Sequence, residues 1–213
     1  VLLANALRFY ALKHFVGIFV QKEESRWKHV SILYIIGWAW TSAISLLFSS
    51  PAMNILSNIT SLFLIFFPYR IKKTKKCLAV FVIYVINALV DSIVILSLTK
   101  YTMGQPVNQV CECITSFALL FIAIIIQRTT EPEKEITLPA LNMAALLMVP
   151  VVSIVYIYYL IIVAHEIKEI VIFAALALLF INILIFYLYH SLLKFYSARM
   201  NEQVFKQMLR SEE

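Results

Sequence analysis

Apolar residues run through this chain in long unbroken stretches set apart by short polar breaks. The strict apolar–polar alternation of a half-buried strand is missing, so the stretches read as helices. One helical pass through a bilayer takes about 20 residues. On that measure seven segments are predicted: about Leu2 to Val20, His29 to Phe48, Asn54 to Pro68, Cys77 to Thr99, Gln109 to Gln127, Ile136 to Val163 and Ile170 to Tyr189. The breaks are QKEESRWK from Gln21, SSPAMN from Ser49, YRIKKTKK from Tyr69, KYTMGQPVN from Lys100, RTTEPEKE from Arg128 and AHEIKE from Ala164. Pro51, Gly104 and Pro106 mark two of them as turns. Beyond Tyr189 the chain stays helical in pattern but turns amphipathic to its end at Glu213.

The expected fold is an all-α, polytopic transmembrane helix bundle with seven spans, or six if the first lies along the interface, followed by a cytoplasmic amphipathic exit helix. Residues 1–189 form the membrane domain and residues 190–213 the exit helix. No internal repeat and no low-complexity linker divides the chain further.

Composition agrees. Of 213 residues 62% are apolar and 14% charged, against about half and a quarter in a soluble domain. The three glycines, Gly17, Gly37 and Gly104, lie too far apart for a Gly-rich phosphate loop. Because the chain opens on Val1, an upstream segment is expected to have been removed, or the chain to be a fragment. Charge sets the expected orientation. The first, third and fifth breaks and the tail hold 14 of the 18 basic residues, while the opposite breaks hold only Lys100 and Lys168. Basic loops stay in the cytoplasm, so the tail is placed inside a multi-pass plasma-membrane protein. Topology then accounts for the net charge of +6, and no nucleic-acid partner is needed.

Three charges fall inside predicted spans: Arg8, Lys13 and Asp91. Ionisable groups at bilayer depth are costly and are usually paired or functional. Arg8 and Asp91 each lie three residues outward of their span's centre, about 4.5 Å from the midplane at 1.5 Å per residue. They are expected to meet as a buried pair; the alternative is two separate residues facing a wet cavity or an interface. Asn5, Asn87, Asn142 and Asn182 read as hydrogen-bonding contacts between helices. Pro150 should kink the sixth span.

Ligand-binding candidates are Arg8 and Asp91 with an outer group of Tyr101, Gln105, Glu112, Tyr156, Tyr159, His165 and Glu166. Tyr156 and Tyr159 share a helix face, where an interfacial aromatic belt is the competing role. The outer breaks are too short to form a separate binding domain. A ligand would therefore enter the bundle or lie across its rim, and would be small, apolar or peptide-like. Cys77, Cys111 and Cys113 have no spacing for a metal site and read as packing residues. No catalytic arrangement, cofactor or metal is expected from the residues present.

From Leu193 apolar residues recur at Tyr196, Met200, Val204 and Met208, one stripe of a helix. No Gly or Pro interrupts the chain between the seventh span and this stripe. A continuous helix leaving the membrane in this way suggests a homodimer seam. The alternative is a segment lying on the membrane surface.

LLANALRFYALKHF from Leu2, YRIKKTKK from Tyr69 and FYLYHSLLKFYSARMNEQVFKQMLRSEE from Phe186 resemble the membrane sensor half of receptor histidine kinases with a GHKL-type ATPase domain, including peptide-pheromone receptors of the accessory gene regulator type. The likeness covers nearly the whole chain. It implies an extracellular signal, small or peptide, in quorum sensing; dimerisation; and phosphotransfer through a kinase core to a cytoplasmic response regulator of a two-component system. A phosphoacceptor segment and ATP-binding boxes are missing here, and His190, followed by Ser-Leu-Leu-Lys, does not match the former. The catalytic half is then expected outside these residues. The rival readings are a small polytopic transporter or permease, for which only the sixth span is interrupted, and a membrane peptidase, for which no Gly-Gly-x-His run exists.

Overall fold

The computed structural model describes residues 2–20, 30–48, 51–98, 105–129 and 138–163, and 168–212. Seven helices are found, α1 (Leu2–Phe19), α2 (Val30–Leu47), α3 (Pro51–Phe66), α4 (Lys73–Leu98), α5 (Gln105–Thr129), α6 (Ala140–Val163) and α7 (Lys168–Glu212), and no strand among the described residues. Four segments are long and apolar enough to cross a membrane: Val30–Leu47, Lys73–Leu98, Val110–Thr129 and Ile170–Met208. Met53–Phe66 and Leu141–Tyr156 are apolar but shorter.

The helix starts differ from the sequence expectation where proline is concerned. Pro51 was expected in a turn, yet it is the first residue of α3. Pro106 likewise falls in the first turn of α5. Both are in the position that suits a residue without an N–H donor, since the first amides of a helix have no intrahelical acceptor. α4 begins at Lys73, four residues before the expected span, so the lysines of the basic break form its first turn. α6 begins at Ala140 rather than Ile136, just after Pro139. It remains helical on both sides of Pro150, whose ring removes one backbone hydrogen bond.

α4 is the axis of the bundle. It touches α1, α3, α5, α6 and α7. A helix surrounded by others must be apolar on every side, and between Leu78 and Val90 nearly every α4 side chain is buried. The outer helices bury one stripe and expose another. Ile32, Ile35, Ile36 and Trp40 on α2, and Phe173, Phe180 and Leu184 on α7, face outward. In water such a surface would aggregate; in a bilayer it meets hydrocarbon.

Contacts at the helix ends set the directions. Phe19 at the end of α1 meets Phe66 at the end of α3, ring centroids 6.5 Å apart, and Tyr189 on α7 at 6.0 Å. Thr129 at the end of α5 lies 2.9 Å from the Tyr187 hydroxyl. The start of α6 joins the same layer, where Asn142 donates to the Tyr196 hydroxyl at 3.0 Å. At the opposite end Val171 of α7 packs beside Leu96 of α4. α1, α3, α5 and α7 therefore run one way, and α4 and α6 the other.

Polar contacts between helices follow the sequence expectation for three of the four asparagines. Asn5 donates to Ser42 Oγ at 3.1 Å, Asn142 to Tyr196, and Asn182 to Ser153 Oγ at 3.0 Å. Asn182 and Ser153 are both buried between α7 and α6. Interhelical hydrogen bonds of this kind contribute about 0.6 to 2 kcal/mol. Asn182→Leu should thus lower unfolding stability in detergent by about 1 kcal/mol. An unchanged or raised midpoint would show that apolar packing alone holds α6 on α7.

Candidate functional site

One face of α4 carries a polar stripe in an otherwise apolar helix. Tyr84 and Asp91 are seven residues apart, almost two full turns, and Asn87 lies between them one turn from Asp91. The stripe is turned toward α1 and α5. Arg8 Nη2 on α1 donates to Asp91 Oδ1 at 2.7 Å. The pair expected from matched depths is thus formed, by residues 83 positions apart. It is not sealed: the Arg8 side chain keeps 12% of its surface exposed and Asp91 26%. α5 adds two groups. Glu112 stands close enough for its charge to act on Asp91, and the Thr115 hydroxyl lies beside the same carboxylate. Tyr84 is buried on the same α4 face, two turns before Asp91.

Two buried polar atoms at this site, Arg8 Nε and Asn87 Oδ1, have no hydrogen-bond partner among the described residues, and the buried Thr115 hydroxyl has the Asp91 carboxylate beside it. Thr115 is completely buried and Asn87 nearly so. Such groups cost free energy unless water or a ligand meets them. Between them they offer a donor, an acceptor and a hydroxyl that can do either. The site can therefore hold water or a small polar group, with charge of both signs within reach.

Of the ligand candidates read from sequence, Arg8, Asp91 and Glu112 come together here. Tyr156 and Tyr159 do not join them. Their rings meet at a tilt, centroids 6.2 Å apart, and both are exposed on α6, which packs chiefly on α4 and α7. Gln105 is in the first turn of α5, but its side chain lies outside the described residues, as do Tyr101, His165 and Glu166 altogether. Sequence reasoning missed Tyr84 and Thr115 and gave Asn87 only a packing role. The signal was the helical spacing: Tyr84, Asn87 and Asp91 on α4, and Glu112 with Thr115 on α5, each recur at three or four residues.

α1 is integrated into the bundle on three sides. Besides Arg8, Asn5 reaches Ser42 on α2, Ser116 on α5 donates to the Ala4 carbonyl at 2.9 Å, and His14 meets Gln127 of α5 at 2.7 Å. Ala4, Phe9, Ala11, Leu12, Phe15, Val16, Ile18 and Phe19 are buried. Asn5, Arg8 and His14 turn inward to partners, while Lys13 is exposed.

The exit stripe divides in two. Leu193 is 4% exposed and belongs to the core, and Tyr196 is half-buried with its hydroxyl held by Asn142. Both were expected on a dimer seam; both are instead covered by their own bundle, because α7 stays against α4 and α6 for about two turns past Tyr189. Met200, Val204 and Met208 are exposed, with Phe205 beside them. Glu202 and Lys206 pair at 2.6 Å, and the Arg199 guanidinium stacks over Phe195 at 4.6 Å.

Cys77, Cys111 and Cys113 are free thiols. Among the described residues no three His, Cys, Asp or Glu side chains gather as metal ligands. Comparison of the chain with protein-family models, with curated proteins and with solved structures returns no match.

Proposed function

We propose that this chain is the membrane sensor module of a two-component receptor histidine kinase, resembling the accessory-gene-regulator type. It would receive an extracellular signal, small or peptide, among the outer ends of its helices. α7 would then pass the change in packing to a cytoplasmic kinase core and, through it, to a response regulator. One observation carries the reading. α7 is a single helix of 45 residues whose first part is packed on α4 and α6 and whose last turns expose an apolar stripe. Such a helix is about 67 Å long, more than twice the roughly 30 Å hydrocarbon core of a bilayer. It is a rigid link from the bundle to something beyond it.

Seven crossings with the C-terminus in the cytoplasm complete the proposal. The basic bias of alternate breaks supports the orientation, and the inward polar contacts of α1 support counting it as a span. The signal would be read at Arg8, Asp91 and Glu112, with the unmatched Asn87 Oδ1 and the Thr115 hydroxyl beside Asp91 as hydrogen-bonding handles. Tyr101, Gln105, His165 and Glu166 would form the approach from outside, with Tyr156 and Tyr159 at the rim. A ligand can shift the bundle only by binding one packing of α1, α4 and α5 better than another. Breaking the Arg8–Asp91 contact is such a difference. The second copy of a homodimer would meet the first along Met200, Val204 and Met208.

Cysteine crosslinking in native membranes tests this, with Cys77, Cys111 and Cys113 replaced. Met200→Cys, Val204→Cys and Met208→Cys should each give a covalent dimer, and Leu193→Cys should not. No dimer at any of the three positions would remove the sensor reading. Substrate uptake into liposomes holding the purified chain would put the transporter in its place.

A further inference from the structure

The basic break has more order than membrane orientation asks of it. A topological signal needs only enough positive charge somewhere in the loop. Here Lys73 opens α4, and Lys75 and Lys76 complete its first turn, with Arg70 and Lys72 just before. The amino end of a helix is itself positive, and cations there are disfavoured. No acidic residue occupies this turn. Arg70, Lys72 and Lys73 are exposed. Among the described residues none of them forms an ion pair.

The fold then adds a cation from a distant part of the chain. A row of ring contacts runs from Tyr189 on α7 to Phe19, from Phe19 to Phe66, and from Phe66 to Tyr69, at 6.0, 6.5 and 6.4 Å. It fastens α7 beside the α3–α4 turn just where α7 emerges. Lys75 and Lys194 consequently both stand near His190. Ile71 is buried and anchors the turn, so the surrounding cations sit on a fixed platform. Cations from two separate elements thus converge where the apolar surface of the bundle gives way to polar chain. Apolar acyl-chain surface below and concentrated positive charge above suit a molecule with both characters.

We propose that Arg70, Lys72, Lys73 and Lys194, with Lys75, hold a phosphate-bearing group, supplied by the head group of an anionic phospholipid. Its acyl chains would lie along the outward face of α7, where Phe180 and Leu184 are exposed. The site ties the α3–α4 turn to α7 at its point of exit. It rests on the membrane reading above only for the leaflet concerned, which would be the cytoplasmic one.

Native mass spectrometry of the purified chain, titrated with phosphatidylglycerol or phosphatidylcholine, tests it. The wild type should retain phosphatidylglycerol in preference to phosphatidylcholine. The variant Arg70→Gln/Lys72→Gln/Lys73→Gln/Lys194→Gln should bind phosphatidylglycerol at least about tenfold more weakly, since each juxtamembrane cation favours an anionic surface by roughly fivefold. Its binding of phosphatidylcholine and its circular dichroism should not change. Lys206→Gln/Arg210→Gln removes charge further along α7 and should keep the lipid. Equal phosphatidylglycerol binding by the fourfold variant, or equal loss in the distal variant, would overturn the site. Displacement of the lipid by millimolar inorganic phosphate would assign the cations to a soluble phosphate compound instead. Labelling of Lys72→Cys from outside intact cells would place the site in the other leaflet. That outcome would sink the orientation without touching the lipid result.

Discussion

Alanine at Arg8 and alanine at Asp91 should each destabilise the bundle, by roughly 2–4 kcal/mol, and the double variant should be no worse than the more harmful single. Either single change leaves one charge inside the helix bundle without its partner across the 2.7 Å contact. Removing one member of a fully buried pair costs about 3–5 kcal/mol. The expected figure is smaller because Asp91 keeps 26% exposure and Arg8 12%, so water screens part of the loss. The double variant strands no charge. Unfolding monitored by circular dichroism in detergent, over the full cycle, reads the coupling directly. Simple additivity would mean that the two charges are each satisfied separately, by water or by Glu112 and Thr115, and that the contact does not hold α1 on α4.

Leucine at Gly37 should cost about 3 kcal/mol, and alanine about 1 kcal/mol. Gly37 is a buried α2 position where α1 crosses closely. A Cβ there would sit 2.9 Å from Phe9 Cε1 and 3.6 Å from Ser61 Cβ. The first distance is too short, and the Phe9 ring is itself buried with little room to turn. The absent side chain lets α1, α2 and α3 approach one another, as small residues do between membrane helices. The effect should be coupled: with Phe9→Leu present, Gly37→Ala should become nearly neutral. Equal penalties for Gly37→Ala with Phe9 and with Leu at position 9 would show that helix propensity, not the crossing, sets the cost.

Much of this molecule was legible because bilayer length and helical period act on local sequence. The long apolar runs located all seven helices, and the lack of Gly or Pro after Ala164 foretold that α7 would continue unbroken. Matched positions along their helices suggested that Arg8 and Asp91 meet, but left open two separate residues facing a wet cavity or an interface; the 2.7 Å contact decides between them. Thr115 was not readable. A threonine within an apolar run becomes part of a site only when another helix brings a carboxylate to it. The same limit misplaced Leu193 and Tyr196. Their spacing is that of a free stripe, and only the neighbouring α4 and α6 cover it.

Local sequence sets where helices form, which are apolar enough for lipid, and which charges need partners. These follow from each segment's own composition. Packing between helices settles that α4 is the axis, that α1 packs along α5, that Asn87 and Thr115 flank the Arg8–Asp91 pair, and that Tyr189 of α7 is joined through Phe19 and Phe66 to Tyr69 before α4. Helices with apolar surfaces can be arranged around one another in many ways at similar cost. The choice among them rests on close contacts such as Phe9 against Gly37, which no single segment contains.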